Sequence, residues 1–262
     1  MNSANEKCFI TGATSGIGLS FAHKFAQRGF NLILTGRRKS ELEKVAEIIV
    51  NDYQVEVELI IGDLSDIDYR DSLLDKIKIT DEITVLINNA GFGEDHSFFN
   101  LNISTIRSML SVHMFTVVEL THEVLPGMIK RRNGIIINVS SLAAFTPGIS
   151  RSLYLATKAF EHHFSEALAL EVQPFGIKVQ SLCPGMTFTR FHNRQNQDHP
   201  NMLYKLIHHM SPEKVTEISL DQLNYNKTLC IPGTFNKVYY AASRVMPFPV
   251  VKQLAKLRAE RN

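Results

Sequence analysis

Two residues of one short segment, Tyr154 and Lys158, have the types and spacing that proton transfer requires. Because they lie four positions apart, a helix would place both side chains on one face, where the ammonium would lower the phenol's usual pKa of about 10. Such a phenol can exchange a proton with a substrate oxygen. Ser141, 13 residues earlier and directly after an apolar run, could hydrogen-bond the same oxygen. We therefore predict a catalytic centre built from these three residues.

The segment from Gly12 to Gly18 could bind phosphate groups. It directly follows the first apolar run of the chain and leads into an amphipathic stretch. Glycines permit a tight turn and a close approach of backbone to a pyrophosphate, and the start of the following helix offers free N–H groups. We therefore predict that a dinucleotide binds at this turn. The residues of this predicted site are Gly12, Thr14, Ser15, Gly16, Ile17 and Gly18.

The elements that must position these residues follow from the alternation of short apolar runs with longer helical patterns. This alternation is typical of a parallel sheet that helices cover on both faces. We predict an α/β fold of the Rossmann-like type, in which a doubly wound parallel seven-stranded sheet has helices on both faces. The predicted strands are Lys7–Thr11, Asn31–Thr35, Val55–Ile61, Ile83–Ile87, Gly134–Val139, Ile177–Leu182 and Thr228–Ile231.

Helices are predicted between these strands, and no repeat, low-complexity tract or linker divides the chain. We expect one domain over residues 1–262, with a substrate lid inserted at residues 186–212, where the alternation breaks. Apolar residues of this insert, together with Phe92 and Phe145, predict an apolar substrate. The clearest helical stretches are Ile17–Arg28, Ser40–Asn51, Ile103–Arg132 and Ser152–Gln173. The apolar residues of the insert are Phe188, Phe191, Leu203, Leu206 and Ile207.

The composition excludes several classes of function. The formal net charge is only +2, from 28 basic and 26 acidic residues, so no basic surplus indicates nucleic-acid binding. No run of about 18 apolar residues predicts a membrane span, and the N-terminus does not resemble a secretory signal, so we expect a cytoplasmic protein. The three cysteines are widely spaced in apolar stretches, which favours buried thiols. Adjacent histidines at 162–163 and 208–209 lack further ligands at suitable spacing, and we predict no metal site.

Taken in order along the chain, the motifs resemble those of the short-chain dehydrogenase/reductase family. The spacing of the three glycines matches its TGxxxGxG turn, and the resemblance extends over nearly the whole sequence. Features near Pro232 and Pro247 are similar to those of bacterial acyl-type ketoreductases in that family. The other matching segments are Asp63-Leu64, Asn88-Asn89-Ala90-Gly91, Ser141 with Tyr154 and Lys158, and Pro184-Gly185.

The resemblance implies that a nicotinamide dinucleotide lies along the carboxyl ends of the strands. Asp63 and Leu64 would contact the adenine, and Tyr154 and Lys158 would lie beside the nicotinamide ribose. Further cofactor contacts would come from Asn89, Ala90, Gly91, Pro184, Gly185, Thr187 and Thr189.

The residues after the second strand indicate which nicotinamide cofactor is preferred. An enzyme that uses NAD usually has a carboxylate there, which binds the ribose hydroxyls and repels a 2′-phosphate. This chain instead reads Gly36-Arg37-Arg38. A guanidinium binds phosphate bidentately and is unfavourable at a helix N-terminus without such a partner. We therefore predict NADP(H), with Arg37 as the selecting residue and Arg38 in support.

One position departs from the family pattern. Many members carry an asparagine in the long helix after the fourth strand, where it holds a water that links the lysine to solvent. Alignment of this segment places His113 there. Its imidazole could replace the amide in a proton relay, or it could be a packed histidine without a catalytic part. The sequence leaves both alternatives open.

The sequence as a whole predicts an NADP(H)-dependent oxidoreductase that interconverts an apolar carbonyl and its secondary alcohol, with Tyr154 as general acid and base. The alternative is a catalytically weak protein on the same fold that senses nucleotides or binds partners, because fold does not fix function. The resemblance implies a homodimer or homotetramer. The basic C-terminal stretch from Val250 to Arg258 either docks on protein or touches an anionic membrane surface.

Overall fold

The computed structural model describes residues 6–80, 82–94, 96–187 and 210–259. In this part of the chain, parallel strands form one seven-stranded sheet in the order β3-β2-β1-β4-β5-β6-β7. The predicted fold class is therefore confirmed. The strands are β1 Lys7–Thr11, β2 Asn31–Gly36, β3 Val57–Ile61, β4 Ile83–Asn88, β5 Gly134–Val139, β6 Ile177–Leu182 and β7 Leu229–Cys230.

Helices connect successive strands and cover both faces of the sheet. The described helices are α1 Gly16–Ala26, α2 Lys39–Tyr53, α3 Ile67–Lys78, α4 Ile103–Leu110, α5 Thr116–Arg131, α6 Ser152–Val172, α7 Pro212–Asn224, α8 Thr234–Val245 and α9 Phe248–Ala259. One π-helical stretch, Ser111–Phe115, joins α4 to α5, and short 3₁₀ turns occupy Phe98–Asn100, Leu142–Phe145 and Gln173–Phe175.

The hydrophobic core lies in two layers, one on each face of the sheet. Successive side chains of a strand point to opposite faces, so Cys8 and Ile10 of β1 belong to one layer and Phe9 to the other. The first layer is closed by α1, α2 and α7, and the second by α3, α5 and α6. The strands are therefore apolar on both sides, and all residues of β4 are buried.

Two helical features differ from the sequence prediction. Helix α3 had no predicted bounds; it begins at Ile67, and the carboxylate of the preceding Asp66 caps it by accepting hydrogen bonds from the backbone N–H groups of Asp68 and Tyr69. The predicted single helix over Ile103–Arg132 is divided, because the hydrogen bonding changes to the π pattern at Ser111–Phe115. The π turn is relevant to the site because it holds His113.

The sheet order reverses at β1, whose two neighbours are β2 and β4. In open parallel sheets, the connections diverge at such a point and leave a crevice at the carboxyl ends of the strands. The glycine turn after β1, the arginines after β2 and the Asn88–Gly91 segment after β4 all open onto this crevice. The fold therefore brings the predicted binding residues to one edge of the sheet.

Candidate active site

The glycine turn has the backbone geometry that a phosphate cradle needs. Gly12 and Gly16 adopt positive φ angles of 70° and 61°, which side chains other than glycine rarely tolerate. A Cβ atom on Gly18 would lie 2.5 Å from the carbonyl oxygen of Gly12, so the turn and the start of α1 are in close contact. Helix α1 begins at Gly16 and directs its free N–H groups toward the crevice.

The residues after β4 hold this turn in place. The side chain of Asn89 donates to the carbonyl oxygens of Thr11 and Gly12, each at 3.0 Å. The hydroxyl of Thr11 in turn accepts hydrogen bonds from the backbone N–H groups of Asn89 and Ala90, each at 2.9 Å. In this structure, Asn89 and Ala90 therefore position the turn. Their predicted contact with the cofactor remains a prediction.

The two arginines after β2 have different partners. Arg38 donates to the hydroxyl of Thr14 in the glycine turn and pairs with Glu41 at 3.0 Å. Arg37 instead pairs with Asp63 at 3.3 Å, and both of these side chains are exposed. The sequence predicts Arg37 as the residue that selects the cofactor, whereas Arg38 is the arginine that contacts the turn.

The pKa of Asp63 lies below its ordinary value. Partial burial raises it, but hydrogen bonds from Ser65 and the charge of Arg37 outweigh that effect. Leu64 follows in the chain and is buried. Asp63 is thus held as a carboxylate at the end of β3, beside the arginines.

The predicted catalytic residues come together at the end of β5 and the start of α6. Ser141 begins the 3₁₀ turn after β5, where its Oγ accepts a hydrogen bond from the N–H of Ala143 at 3.1 Å. The same hydroxyl hydrogen-bonds the phenol of Tyr154. The ammonium of Lys158 lies 5.9 Å from the centre of the Tyr154 ring. The structure thus brings the serine, tyrosine and lysine into one cluster.

The pKa of Tyr154 is raised above its ordinary value, although the sequence analysis expected it to be lowered. Burial raises it most, Lys158 and the hydrogen bond with Ser141 lower it, and the charge of Glu161 raises it again. Lys158 therefore lowers the pKa of Tyr154, as expected, but burial and the charge of Glu161 act against it.

Glu161 is a residue of the cluster that sequence reasoning missed. The ammonium of Lys158 donates to both carboxylate oxygens of Glu161 at 2.9 Å and to the carbonyl oxygen of Val139 at 3.0 Å. The two side chains are only 5% and 3% exposed. Burial raises the pKa of Glu161 to about 7, even though the ammonium acts to lower it. The available signal was an acidic residue three positions after the lysine, on a helix face that packs on the sheet.

His113 is completely buried beside the cluster, and both of its ring nitrogens have partners. Nε2 accepts the backbone N–H of Phe92 at 3.0 Å, so the ring proton is on Nδ1, which lies 2.9 Å from the hydroxyl of Thr157. That hydroxyl donates to the carbonyl oxygen of Tyr154 at 2.8 Å. Burial and the charge of Lys158 lower the pKa of His113 well below its ordinary value. The histidine is therefore neutral and braces the helix turn that carries Tyr154.

The segment after β6 closes the site on its other side. The carbonyl of Pro184 accepts the N–H of Leu142 at 2.9 Å, and the hydroxyl of Thr187 donates to the carbonyl of Gly185 at 3.2 Å. The predicted cofactor residue Thr189 lies outside the described residues. So do the apolar lid residues Phe188, Phe191, Leu203, Leu206 and Ile207.

Two negative observations apply to residues 6–80, 82–94, 96–187 and 210–259. Within these ranges, no group of three or more histidine, cysteine, aspartate or glutamate residues could hold a metal ion. Nor does any helix there have the length and hydropathy needed to cross a membrane.

The fold and the site together define a dinucleotide-binding α/β protein with a serine–tyrosine–lysine cluster at the carboxyl edge of its sheet. A model of the short chain dehydrogenase family matches residues 6–200. The chain therefore belongs to the short-chain dehydrogenase/reductase family of oxidoreductases, and the predicted family is confirmed.

Two curated relatives have similar identity to the chain but differ in what their names say about activity. The very-long-chain 3-oxoacyl-CoA reductase of Anas platyrhynchos is 36% identical over 188 residues, covering 69% of this chain and 59% of that protein. The inactive hydroxysteroid dehydrogenase-like protein 1 of Homo sapiens is 35% identical, covering 67% of this chain and 54% of that protein. The chain thus spans less than two thirds of the length of these relatives.

Solved structures are similar over almost the full chain. A short-chain dehydrogenase from Sphingobium yanoikuyae in complex with NADPH has a TM-score of 0.82 at 29% identity, covering 90% of this chain and 91% of that one. A 7beta-hydroxysteroid dehydrogenase has a TM-score of 0.89 at 22% identity, covering 97% and 98%, and supports the fold alone.

Proposed function

We propose that this protein is an NADP(H)-dependent oxidoreductase that interconverts an apolar carbonyl and its secondary alcohol. The observation that carries the proposal is the cluster of Ser141, Tyr154 and Lys158, which is at the same edge of the sheet as the glycine turn. A hydride acceptor or donor bound along this edge would lie next to a phenol able to exchange a proton with the same substrate.

The residues of the crevice fit a phosphorylated dinucleotide. Any side chain on Gly12 or Gly18 would distort the turn, since a Cβ at either position meets backbone atoms within 2.9 Å. The guanidiniums of Arg37 and Arg38 would bind the 2′-phosphate that distinguishes NADP(H) from NAD(H). The similarity to a structure in complex with NADPH supports this choice. When bound, the cofactor would supply or accept the hydride.

Each residue of the cluster has a distinct part in the proposed reaction. Tyr154 would give its phenolic proton to the carbonyl oxygen in reduction and take it back in oxidation. Ser141, hydrogen-bonded to that phenol, would donate to the same oxygen as its charge develops. Lys158 would stabilise the phenolate form and contact the nicotinamide ribose.

For the substrate, we propose an apolar ketone or oxoacyl compound. Two aromatic side chains predicted for the pocket support this choice: Phe92 contacts the His113 ring, and Phe145 packs against Tyr240. Relatives named as very-long-chain 3-oxoacyl-CoA reductases support an apolar chain beside the carbonyl. A single domain with a lid at 186–212, a homo-oligomer and a cytoplasmic location remain predictions.

The cofactor proposal is tested by fluorescence titration of the purified chain with NADPH and with NADH. We expect tighter binding of NADPH, and Arg38→Ala should weaken it about 10- to 100-fold while leaving NADH unchanged, because a charge-assisted phosphate contact is lost. Arg37→Ala, at the adjacent exposed position, tests the prediction made from sequence. Equal binding of both cofactors by the wild-type chain would contradict the NADP(H) assignment.

A catalytically weak nucleotide-binding protein is the second candidate, because one relative of similar identity is named as inactive. Turnover of a panel of apolar ketones and 3-oxoacyl thioesters with NADPH separates the two. Tight NADPH binding without turnover of any panel member would favour the second candidate.

A further inference from the structure

A buried carboxylate next to the proposed catalytic lysine needs an explanation. Placing two charges in a protein interior costs several kcal/mol per ion, which their attraction returns only with good geometry. Glu161 and Lys158 meet this condition, because both carboxylate oxygens lie 2.9 Å from the ammonium. An apolar residue at 161 would avoid that cost, whereas the charge of Glu161 acts on a neighbouring group, because it raises the pKa of Tyr154.

The groups around Glu161 isolate its interaction with Lys158. On α6, Ser165 donates its hydroxyl to the backbone carbonyl of Glu161, leaving the carboxylate free for the ammonium. After β6, burial raises the pKa of the Cys183 thiol to about 12, so this neighbour is neutral. From the π turn, His113 is neutral as well, as described above.

Two further titratable groups near the cluster are on α6 or at its start. His162, next to Glu161, is partly buried, and burial lowers its pKa. Arg151 precedes the helix and acts on Tyr154 by lowering the phenol's pKa. Lys158 is therefore the charge that dominates at the Glu161 carboxylate, and it is the group through which Glu161 acts on the phenol.

The ammonium of Lys158 has three N–H donors, and the structure directs them to Val139 and to the two oxygens of Glu161. These three hydrogen bonds fix the position of the ammonium, and the carboxylate of Glu161 opposes its positive charge. Val139 is on β5, so the sheet and α6 hold the ammonium together.

We propose that Glu161 is a positioning residue of this site, which holds the ammonium of Lys158 in place and weakens its effect on the proton of Tyr154. The proposal rests on the proposed function, since that function gives Tyr154 its role. It adds a fourth residue to the cluster, one that acts through Lys158 and does not itself touch the substrate.

The charge of Glu161 determines the direction in which the pKa of Tyr154 should change in a variant. The Glu161 charge raises the pKa of Tyr154, so Glu161→Gln, which keeps the size and an oxygen acceptor, should lower the pKa of Tyr154. In alcohol oxidation the phenolate is the active form. The low-pH limb of kcat/KM should therefore move to lower pH in this variant. In the wild type, titration of Glu161 near pH 7 should add an inflection that the variant lacks.

The test that does not depend on turnover is ultraviolet titration of tyrosinate. The chain contains 7 tyrosines and no tryptophan, so ionisation of the phenols dominates the signal. The component that disappears in Tyr154→Phe is assigned to Tyr154. We expect Glu161→Gln to shift this component to lower pH. Glu171→Gln, an exposed position on the same helix, should leave it unchanged.

The outcomes separate the two proposals. A shifted Tyr154 titration in a chain that turns over no carbonyl would support the role of Glu161 and contradict the proposed reaction. Coincident titrations of wild type and Glu161→Gln would overturn the role of Glu161, whatever the activity. If the glutamine variant does not fold, Glu161→Asp keeps the charge but withdraws it from the ammonium. This variant should then give a smaller shift of the Tyr154 titration in the same direction. If the titration did not shift, the proposal would be overturned.

Discussion

The phenol of Tyr154 lies among groups that act on its proton in opposite directions. Its hydrogen bond with Ser141 and the charge of Lys158 favour the phenolate, whereas burial and Glu161 favour the neutral phenol. A proton donor for reduction must hold its proton until the carbonyl oxygen becomes basic, so an unopposed ammonium would not suit that direction. In the proposed reaction, the charge of Glu161 would therefore help the phenol to keep its proton, as a donor in carbonyl reduction must.

Replacing the phenol tests whether this cluster performs the reaction. We expect Tyr154→Phe to lower kcat/KM for the ketone by about 10²- to 10⁴-fold, the usual contribution of a positioned acid or base. NADPH binding should stay near its wild-type value, because the ring remains and only the hydroxyl is lost. The comparison is made by steady-state kinetics beside fluorescence titration. Undiminished turnover in the variant would remove Tyr154 from the mechanism.

At the scale of elements, sequence patterns predict what depends on local chemistry and miss what depends on packing. The strands were predicted almost to the residue, because continuous apolar runs are typical of strands buried on both faces. The start of α1 and the helix carrying Tyr154 and Lys158 followed from glycine spacing and helical periodicity.

The features that were missed arise between elements. The π turn at Ser111–Phe115 joins α4, which contacts α6, to α5, which packs on β4 and β5, and its residues carry no local signal. Glu161 looks like a surface residue in the sequence, and only the packing of α6 on β5 shows that it is buried against Lys158. The contact between Arg38 and Thr14 likewise joins two loops that lie 24 residues apart.

The junction of the glycine turn and α1 yields a prediction at this scale. A methyl group on Gly18 would lie 2.5 Å from the Gly12 oxygen and 2.4 Å from the Asn89 side chain. Gly18→Ala should therefore push the helix away from the turn. We expect a loss of about 1–3 kcal/mol in the free energy of unfolding, together with weaker NADPH binding.

Gly36→Ala is the matched control for this substitution. The nearest atom to a Cβ at Gly36 is the methyl of Thr14 at 3.7 Å, which is ordinary van der Waals contact. Its unfolding free energy, from urea denaturation, should lie within about 0.5 kcal/mol of wild type. Equal losses in the two variants would show that the cradle is not as tight as its geometry indicates.

At the scale of the whole molecule, two buried titratable groups make folding stability depend on pH in opposite directions. Burial raises the pKa of Glu161 from 4.5 to about 7, so the folded state binds this proton more tightly. Its stabilising contribution is full below about pH 4.5 and is lost as pH rises through 7. Burial lowers the pKa of His113 below 6.5, so its contribution is present above 6.5 and is lost on acidification.

Between about pH 5 and about pH 7.5, single substitutions should therefore change the slope of stability in opposite directions. Glu161→Gln removes the group that stabilises the fold on acidification, so the melting temperature of this variant should fall more steeply with decreasing pH than that of wild type. His113→Asn removes the group that resists protonation, and its melting temperature should fall less steeply. Scanning calorimetry across this range, with Glu171→Gln as control, measures both slopes. A variant that is merely destabilised has a melting curve against pH that runs parallel to that of wild type. Parallel curves would therefore show that neither side chain carries the pH dependence. Slopes that change in opposite directions would assign it to Glu161 and His113.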